Sequence, residues 1–156
     1  MRELKPLWLE REALCILDQR ALPLRRRILR CSTPEQVAEA IRSMAVRGAP
    51  ALGIASAYAM ALALRGFEGG HEEAVKRASE AAQLLLATRP TAYNIRWAVY
   101  RVLRRIEEAS DDAYEAALEE AKAIEREDYE ACKRMGELGA QLLEDGDRVL
   151  THCKRA

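Results

Sequence analysis

The feature that most constrains the fold is a helix-length stretch from Pro50 to Leu64 in which almost every side chain is apolar or small. As a helix, this stretch is apolar nearly all round, so other elements must cover it on every side. Gly53, Ser56 and Tyr58 interrupt the apolar run, which is shorter than the roughly 20 residues of a membrane-spanning helix. We therefore expect a helical domain built around one central, buried helix.

Composition limits the partners that a chain like this can have. The chain has 156 residues, of which 49% are apolar, and this is enough for one hydrophobic core. Its 25 basic and 25 acidic side chains cancel, so no overall field attracts it to nucleic acid or to an anionic membrane. The amino terminus lacks the residue order of a signal peptide. We expect a cytoplasmic protein that binds neither nucleic acid nor membranes and recognises any anion locally.

The cysteines are widely separated along the chain, at Cys15, Cys31, Cys132 and Cys153. They form no Cys-x-x-Cys pair, and His71 and His152 are the only histidines that could join them as soft ligands. This pattern argues against both a zinc site and a disulfide framework. We expect neither a metal nor a cofactor.

The periodicity of the apolar residues divides the chain into three parts. Residues 1–31 predict an antiparallel β-meander, because "PLWLER", "ALCILDQ" and "RRRILRC" are short segments rich in Leu and Ile with turn-prone residues between them. Residues 32–145 predict a helical domain. Residues 146–156 include "RVLTHC", which predicts a strand. The expected fold class is α+β, a short meander followed by an α-helical bundle and a final strand.

The first helix has a clear start. Thr33 is a good N-cap, Pro34 suits the first helical position, and Gln36 completes a capping box. Its apolar stripe consists of Val37, Ala40, Ile41, Met44 and Ala45.

The last helix is predicted as a long segment that reaches Leu143 and is capped by Ser110 or Asp111. Asp128 interrupts its apolar stripe at a position that faces the core, where a carboxylate needs a partner. The stripe itself consists of Ala117, Ala121, Ile124, Ala131, Met135, Leu138 and Leu142.

A candidate anion site precedes the central helix, in the segment Arg47-Gly48-Ala49. The first amides of a helix have no carbonyl partner, and the helix dipole places partial positive charge there, which suits a phosphate. Gly48 lets an anion approach the backbone closely, and Arg47 offers a bidentate guanidinium. The alternative is that Arg47 pairs with an acid such as Asp128 while the glycine makes a tight turn.

Arg89 is a second candidate, because Pro90 biases it away from helical geometry and places it in a loop between two helices. Thr91 is expected to cap the following helix. An exposed loop arginine without a ligand is the alternative.

Cys153 ends the predicted final strand, at the strand end where open α/β sheets place their ligands. A cysteine can act as an acid, a base or a nucleophile where local positive charge favours its thiolate. A buried, inert cysteine is the alternative. His152 cannot form a dyad with it, because neighbouring residues on a strand point to opposite faces.

Four segments together identify a resemblance. They are "DQRALP" (18–23), "VRGAPALGIASAYAMAL" (46–62), "TRPTAYNIRWAV" (88–99) and "GAQLLEDGDRVLTHC" (139–153). In this order and at these spacings they closely resemble the amino-terminal half of the S-methyl-5-thioribose-1-phosphate isomerase family. Its wider relatives include ribose-1,5-bisphosphate isomerase and the regulatory subunits of initiation factor 2B.

The resemblance implies an aldose-ketose isomerase of methionine salvage. It implies that Arg47, Gly48, Ala49 and Arg89 contact a sugar phosphate and that Cys153 is an acid/base catalyst. The reaction carries an aldose 1-phosphate to a ketose 1-phosphate and requires a positioned acid/base pair. The resemblance also implies a homodimer, formed mainly through a carboxy-terminal domain.

The end of the sequence departs from the family pattern. Relatives continue from "THC" with Asn-Ala-Gly into a Rossmann-like domain that supplies a catalytic aspartate, whereas Lys154, Arg155 and Ala156 stand here. We therefore expect a truncated amino-terminal fragment that ends in the first strand of the missing domain, is inactive alone and can self-associate. A non-catalytic binding module of the initiation factor 2B type is the alternative function.

Overall fold

The computed structural model describes residues 5–109 and 112–150, which form three strands and five helices. The strands are β1 (Leu7–Glu10), β2 (Ala13–Leu17) and β3 (Ile28–Cys31). The helices are α1 (Pro34–Arg42), α2 (Ala49–Leu64), α3 (His71–Leu86), α4 (Tyr93–Glu107) and α5 (Ala113–Ala140). The predicted α+β order of a meander followed by a helical bundle is confirmed.

The sheet is antiparallel in the order β1-β2-β3, as a meander requires. Leu7 pairs with Ile16, and Leu14 pairs with Cys31. The central strand β2 is buried along its whole length. Because Leu14 and Ile16 share one continuous core with the apolar residues of the helices, the meander closes one side of the bundle.

Helix α2 lies at the centre of the bundle, as its composition predicts. Every residue from Ala51 to Leu64 is buried, and each of the other four helices packs against α2. The polar groups in this helix have partners: the Ser56 hydroxyl donates to the Leu52 carbonyl at 2.8 Å, and the Tyr58 hydroxyl donates to Glu125 of α5. Burial raises the pKa of Tyr58, and this hydrogen bond acts in the same direction.

Several helix ends differ from the predictions. Thr33 caps α1, but the helix ends at Arg42, and Met44 has a φ of 60° and is exposed instead of continuing the stripe. Ala92, not Thr91, is the N-cap of α4.

The N-cap of α5 lies one or two residues after the predicted N-caps, Asp111 and Ser110. Asp112 is the N-cap, and its carboxylate accepts from the amides of Tyr114 and Glu115. Ser110 and Asp111, which were expected to cap this helix, lie outside the described residues.

Helix α5 is buried only along its first half. Its buried residues end at Ile124. The predicted stripe beyond that point is wrong, because Ala131, Met135, Leu138 and Leu142 are exposed. Asp128 is half-buried and lies where the helix leaves the core.

The carboxy-terminal prediction is tested only in part. Residues 148–150 have no strand pairing in the structure, and the other three residues of the predicted strand, Cys153 among them, lie outside the described residues. Within the described ranges, no helix combines the length and the apolar character that crossing a membrane requires.

Candidate functional site

The loop before α2 takes a backbone conformation that depends on glycine. Gly48 is the N-cap of α2 with φ 92° and ψ 138°, a region that side chains with a Cβ rarely adopt. Its carbonyl accepts the first helical hydrogen bond, from the Leu52 amide at 2.9 Å. Within the described part of the chain, no side chain caps this helix, and its first turn contains no acidic residue. The amino end of α2 therefore keeps its partial positive charge.

The segment that follows β2 holds this loop in place. The Gln19 amide donates to the Ala45 carbonyl at 3.0 Å, and its side-chain amide lies 3.5 Å from the Arg47 carbonyl. The neighbouring Asp18 is 1% exposed and accepts from the guanidinium of Arg20 at 2.7 and 2.8 Å. These hydrogen bonds lower the pKa of Asp18, so the carboxylate stays charged. The loop thus rests on a fixed, ion-paired segment.

The Arg47 side chain is half-buried and bound to its own loop. Its Nε donates to the Met44 carbonyl at 3.3 Å. This hydrogen bond holds the guanidinium in the loop next to the start of α2, and the alternative in which Arg47 pairs with Asp128 stays a prediction.

Arg89 lies in the loop between α3 and α4, as its position before Pro90 predicts. It is half-buried, and its carbonyl accepts from the Ala92 amide at 2.9 Å. It lines a small cavity of about 100 Å³ together with Arg96 and Tyr100. Arg47 is not part of that lining. Convergence of the two arginines on one anion therefore stays a prediction.

A larger cavity of about 390 Å³ opens directly beside the first turn of α2. We call it the helix-junction cavity, and its lining is Pro50, Gly53 and Ile54 of α2, Tyr93, Asn94 and Trp97 of α4, and Ile124, Glu127 and Asp128 of α5. A Cβ on Gly53 would lie 3.1 Å from the Asn94 carbonyl oxygen, so the glycine lets α4 begin against α2. The helix starts of α2 and α4 therefore meet at one cavity.

The comparisons with known proteins place the chain in a family. The model of the "Initiation factor 2 subunit family" matches residues 45–156. The chain belongs to this family. A relative from Roseiflexus sp. (strain RS-1), named methylthioribose-1-phosphate isomerase, is 44% identical over 96% of the chain and 44% of its own length. One from Anaeromyxobacter dehalogenans (strain 2CP-C) with the same name is 48% identical over 92% of the chain and 40% of its own length.

Two solved structures share the fold of this family member. The 5-methylthioribose 1-phosphate isomerase from Pyrococcus horikoshii OT3 matches with a TM-score of 0.87 and 35% identity over 93% of the chain. The translation initiation factor eIF-2B subunit delta from A. fulgidus matches with a TM-score of 0.86 and 39% identity over 93% of the chain. The chain spans less than half of each of these proteins, 42% and 43%.

Sequence reasoning missed some members of the site in this family member. Gln19 belongs to "DQRALP", and Asn94 and Trp97 belong to "TRPTAYNIRWAV", two segments quoted for the resemblance. Those segments were the available signal, but neither predicts that Gln19 contacts a loop 28 residues away. The predicted catalytic residue Cys153 lies outside the described residues, and so its place relative to Arg47 stays a prediction.

Replacing Gly48 with alanine is expected to destabilise the chain by about 1 to 3 kcal/mol, because a Cβ is strained at φ 92°. Urea unfolding followed by circular dichroism measures this loss. Gly136→Ala is the matched control, since Gly136 lies within α5 with no atom within 4 Å of an added Cβ. That substitution is expected to stabilise by about 0.5 to 1 kcal/mol. Equal effects at both positions would contradict a special backbone at Gly48.

Proposed function

We propose that this chain forms the amino-terminal part of a methylthioribose-1-phosphate isomerase and that it binds the substrate phosphate at the start of α2. The observation that carries the proposal is the uncapped amino end of α2, where Gly48 has a glycine-specific conformation and Arg47 stands beside it. The names of relatives that are 41% to 48% identical over more than nine-tenths of the chain support the isomerase assignment.

The chemistry of this end of α2 suits a phosphate ester. The backbone N–H groups in the first turn of α2, that of Ala49 among them, have no carbonyl acceptor within the helix. Pro50 has no N–H and occupies a first-turn position where such a donor would have no intrahelical acceptor. Charge-assisted bonds from a guanidinium add to the attraction of the helix dipole. We place Arg89 at the same phosphate, on the basis of the family resemblance.

Isomerisation of an aldose 1-phosphate requires ring opening with the phosphate in place and then movement of hydrogen from C2 to C1. An acid/base pair at those carbons is needed. We assign one member of the pair to Cys153 from the resemblance and the other to the part of the protein that corresponds to the remaining length of its relatives. On this proposal the 156-residue chain alone does not turn over substrate.

We further propose that the whole protein acts in the cytoplasm as a homodimer and takes a sugar phosphate, not a nucleic acid, as its ligand. The balance of 25 basic and 25 acidic side chains supports the exclusion of nucleic acid. Self-association of the chain alone would use the exposed apolar side chains of Met135, Leu138 and Leu142.

A regulatory subunit of the initiation factor type is a second candidate function. The observation that favours it is the A. fulgidus structure, whose identity to the chain, 39%, exceeds the 35% of the P. horikoshii isomerase. Such a subunit would keep the fold and bind partners without turnover.

A chimera separates the two candidates. The chain replaces the corresponding amino-terminal segment of the Roseiflexus relative, and conversion of methylthioribose 1-phosphate is assayed beside that parent protein. We expect turnover by the chimera and none by the chain alone. An inactive, folded chimera beside an active parent would overturn the isomerase proposal in favour of the binding module. Turnover by the chain alone would refute the need for a second half.

Two arginine variants of the chimera test the site. Arg47→Ala is expected to raise KM by about 10-fold or more, since a bond to a charged group contributes about 1.5 to 3 kcal/mol. Arg42→Ala is the matched control, because Arg42 is an exposed arginine at the end of α1. An equal effect of the two substitutions would count against phosphate binding at Arg47.

A further inference from the structure

Helix α4 has an exposed face whose composition its folding does not explain. The opposite face holds the apolar residues that pack into the core, Ile95 and Val102 among them. The exposed face carries three large aromatic side chains at helical spacing, Tyr93, Trp97 and Tyr100, which are 73%, 40% and 54% exposed. Large side chains clustered on a solvated helix face indicate a surface that another molecule covers.

The same face is basic, although the charges of the whole chain cancel. Helix α4 contains four arginines, no lysine and one acidic residue, Glu107. Three of these arginines, Arg96, Arg104 and Arg105, are exposed. Together with the three aromatic side chains they line a groove of about 580 Å³, which we call the α4 groove. Its surface therefore combines apolar area with concentrated positive charge.

The fourth arginine, Arg101, orders the α4 groove from within. Its two terminal nitrogens donate to the carboxylate oxygens of Glu127 at 2.5 and 2.7 Å, and its Nε donates to Glu120 at 2.5 Å. Its Cζ lies 5.3 Å from the centroid of the Trp97 ring. Because two carboxylates of α5 hold this guanidinium and the guanidinium packs on the indole, Trp97 is a fixed aromatic anchor.

The residue types of the α4 groove are those of a protein interface. Trp, Tyr and Arg are enriched at the residues that dominate binding energy, whereas Lys is depleted at interfaces. A second copy of the chain fits poorly, because a two-fold dimer through this groove would place the basic face of α4 against itself. The charge of the groove instead complements an acidic partner.

A protein segment suits this charge better than a nucleic acid does. A nucleic acid carries one charge per nucleotide and would extend over the neighbouring helix α5, where eight acidic residues outnumber four basic ones. A protein segment can place a few carboxylates opposite the arginines and apolar side chains against the aromatic rings.

The positions of the arginines set the spacing of those carboxylates. Arg96 and Arg104 both line the groove and are eight residues apart, which is about 12 Å along the helix. In an extended segment, side chains four residues apart point to the same side and are about 13 Å apart. The side chain midway between them points to that side too, and it lies at the level of Tyr100 with Trp97 nearby.

We infer that the α4 groove binds an extended acidic segment of a partner protein, with two carboxylates four residues apart and an apolar side chain midway between them. Arg96 and Arg104 bind the carboxylates, and the aromatic side chains cover the apolar group. The interaction goes beyond the proposed isomerase activity. Among the described residues that line the groove, none belongs to the proposed phosphate site.

A synthetic peptide tests the inference in the full chain. The probe is acetyl-Gly-Glu-Ser-Leu-Ser-Glu-Gly-amide, and Trp8→Phe removes the only other tryptophan so that Trp97 reports on the groove. We expect a saturable change of the Trp97 emission at millimolar peptide or below. A peptide with both glutamates replaced by lysine should cause no change. A peptide with leucine replaced by serine should bind about 3- to 10-fold more weakly.

Arginine variants in the same background place the peptide on α4. Arg96→Ala and Arg104→Ala are each expected to weaken the acidic peptide by about 3- to 10-fold, the effect of one charge-assisted hydrogen bond. Arg42→Ala is the matched control, because Arg42 is an exposed arginine of α1. The double variant Arg96→Glu, Arg104→Glu should bind the lysine peptide in place of the acidic one. Circular dichroism checks that each variant is folded.

Several outcomes would overturn the inference. One is equal binding of the acidic and lysine peptides, and another is acidic-peptide binding that neither Arg96→Ala nor Arg104→Ala weakens. Tighter binding of an oligothymidylate through the same two arginines would assign the groove to nucleic acid. A dimer of the chain that the acidic peptide dissociates in sedimentation would assign it to a second copy.

The chimera with the Roseiflexus relative separates this inference from the proposed function. We expect the chimera to bind the acidic peptide as the chain does, whether or not it converts methylthioribose 1-phosphate. An inactive chimera that binds the peptide would refute the isomerase proposal and support the groove. Peptide binding by the chain but not by a folded chimera would show that the rest of the protein covers the groove, and a partner segment would then be excluded.

Discussion

Replacing Ala59 with aspartate is expected to unfold the domain. Ala59 lies in the middle of α2, where it is 0% exposed and belongs to the hydrophobic core. A carboxylate placed there loses its hydration without gaining a designed partner. Mechanisms of this kind cost about 4 kcal/mol or more, which is close to the whole stability of a typical domain, about 5 to 15 kcal/mol. Circular dichroism and urea unfolding measure the loss.

The same substitution at Ala131 is the control for this experiment. Ala131 is also a helical alanine, but it lies in the exposed second half of α5. Aspartate is expected to cost only its weaker helix propensity there, about 0.7 kcal/mol or less. A folded Ala59→Asp variant with wild-type stability would contradict the central position of α2. A large loss at Ala131 would instead show that the second half of α5 is covered.

The contrast between these two alanines illustrates how far the sequence predicts this fold. The stretch from Pro50 to Leu64 is apolar on all sides, so its burial as a helix can be predicted without knowing which elements cover it. The apolar period of α5 looks the same before and after Ile124, yet burial ends there. Periodicity shows which face of a helix is apolar, but burial requires another element against that face, and the sequence does not place that element.

Local hydrogen bonding explains which helix ends were predictable. The Thr33 cap with Pro34 after it is a short-range signal, and the structure confirms it. Met44 follows the helical period of α1, but its φ of 60° and its exposure result from the turn into the loop that Gln19 holds. That contact crosses more than 20 residues of chain, and no local pattern contains it.

In the candidate site, too, the sequence predicts the local relations between residues but not the tertiary ones. Arg47, Gly48 and Ala49 are adjacent in sequence, so the start of a buried helix fixes their relation to one another, and the structure places them together. Arg89 lies in a different loop, between α3 and α4, and its side-chain direction depends on the packing of those helices, so its convergence with Arg47 stays a prediction. The helix-junction cavity depends on three helices and on the close approach of Asn94 to Gly53. Tertiary relations of this kind need the structure.

Phosphate added to the full chain is expected to shift the amide signals of Gly48 and Ala49 before those of other residues. The unpaired amides at the start of α2, its dipole and the Arg47 guanidinium all act at this point. Arg47→Ala is expected to weaken the binding by about 10- to 100-fold, the equivalent of a charge-assisted bond of about 1.5 to 3 kcal/mol. The phosphate affinity of Arg47→Lys should lie between those of the wild-type chain and Arg47→Ala, because lysine keeps the charge and loses the bidentate geometry.

The start of α3 provides an internal control within the same spectra. This helix also begins after a glycine, Gly70, but its first turn contains Glu72 and Glu73. The two carboxylates satisfy the helix dipole and repel an anion, so the Gly70 and His71 amides should not respond at phosphate concentrations that shift Gly48. Equal shifts at both helix starts would mean that phosphate binds any exposed helix end. Shifts at Gly48 that persist unchanged in Arg47→Ala would mean that the backbone binds the anion without the guanidinium, and the role proposed for Arg47 would be wrong.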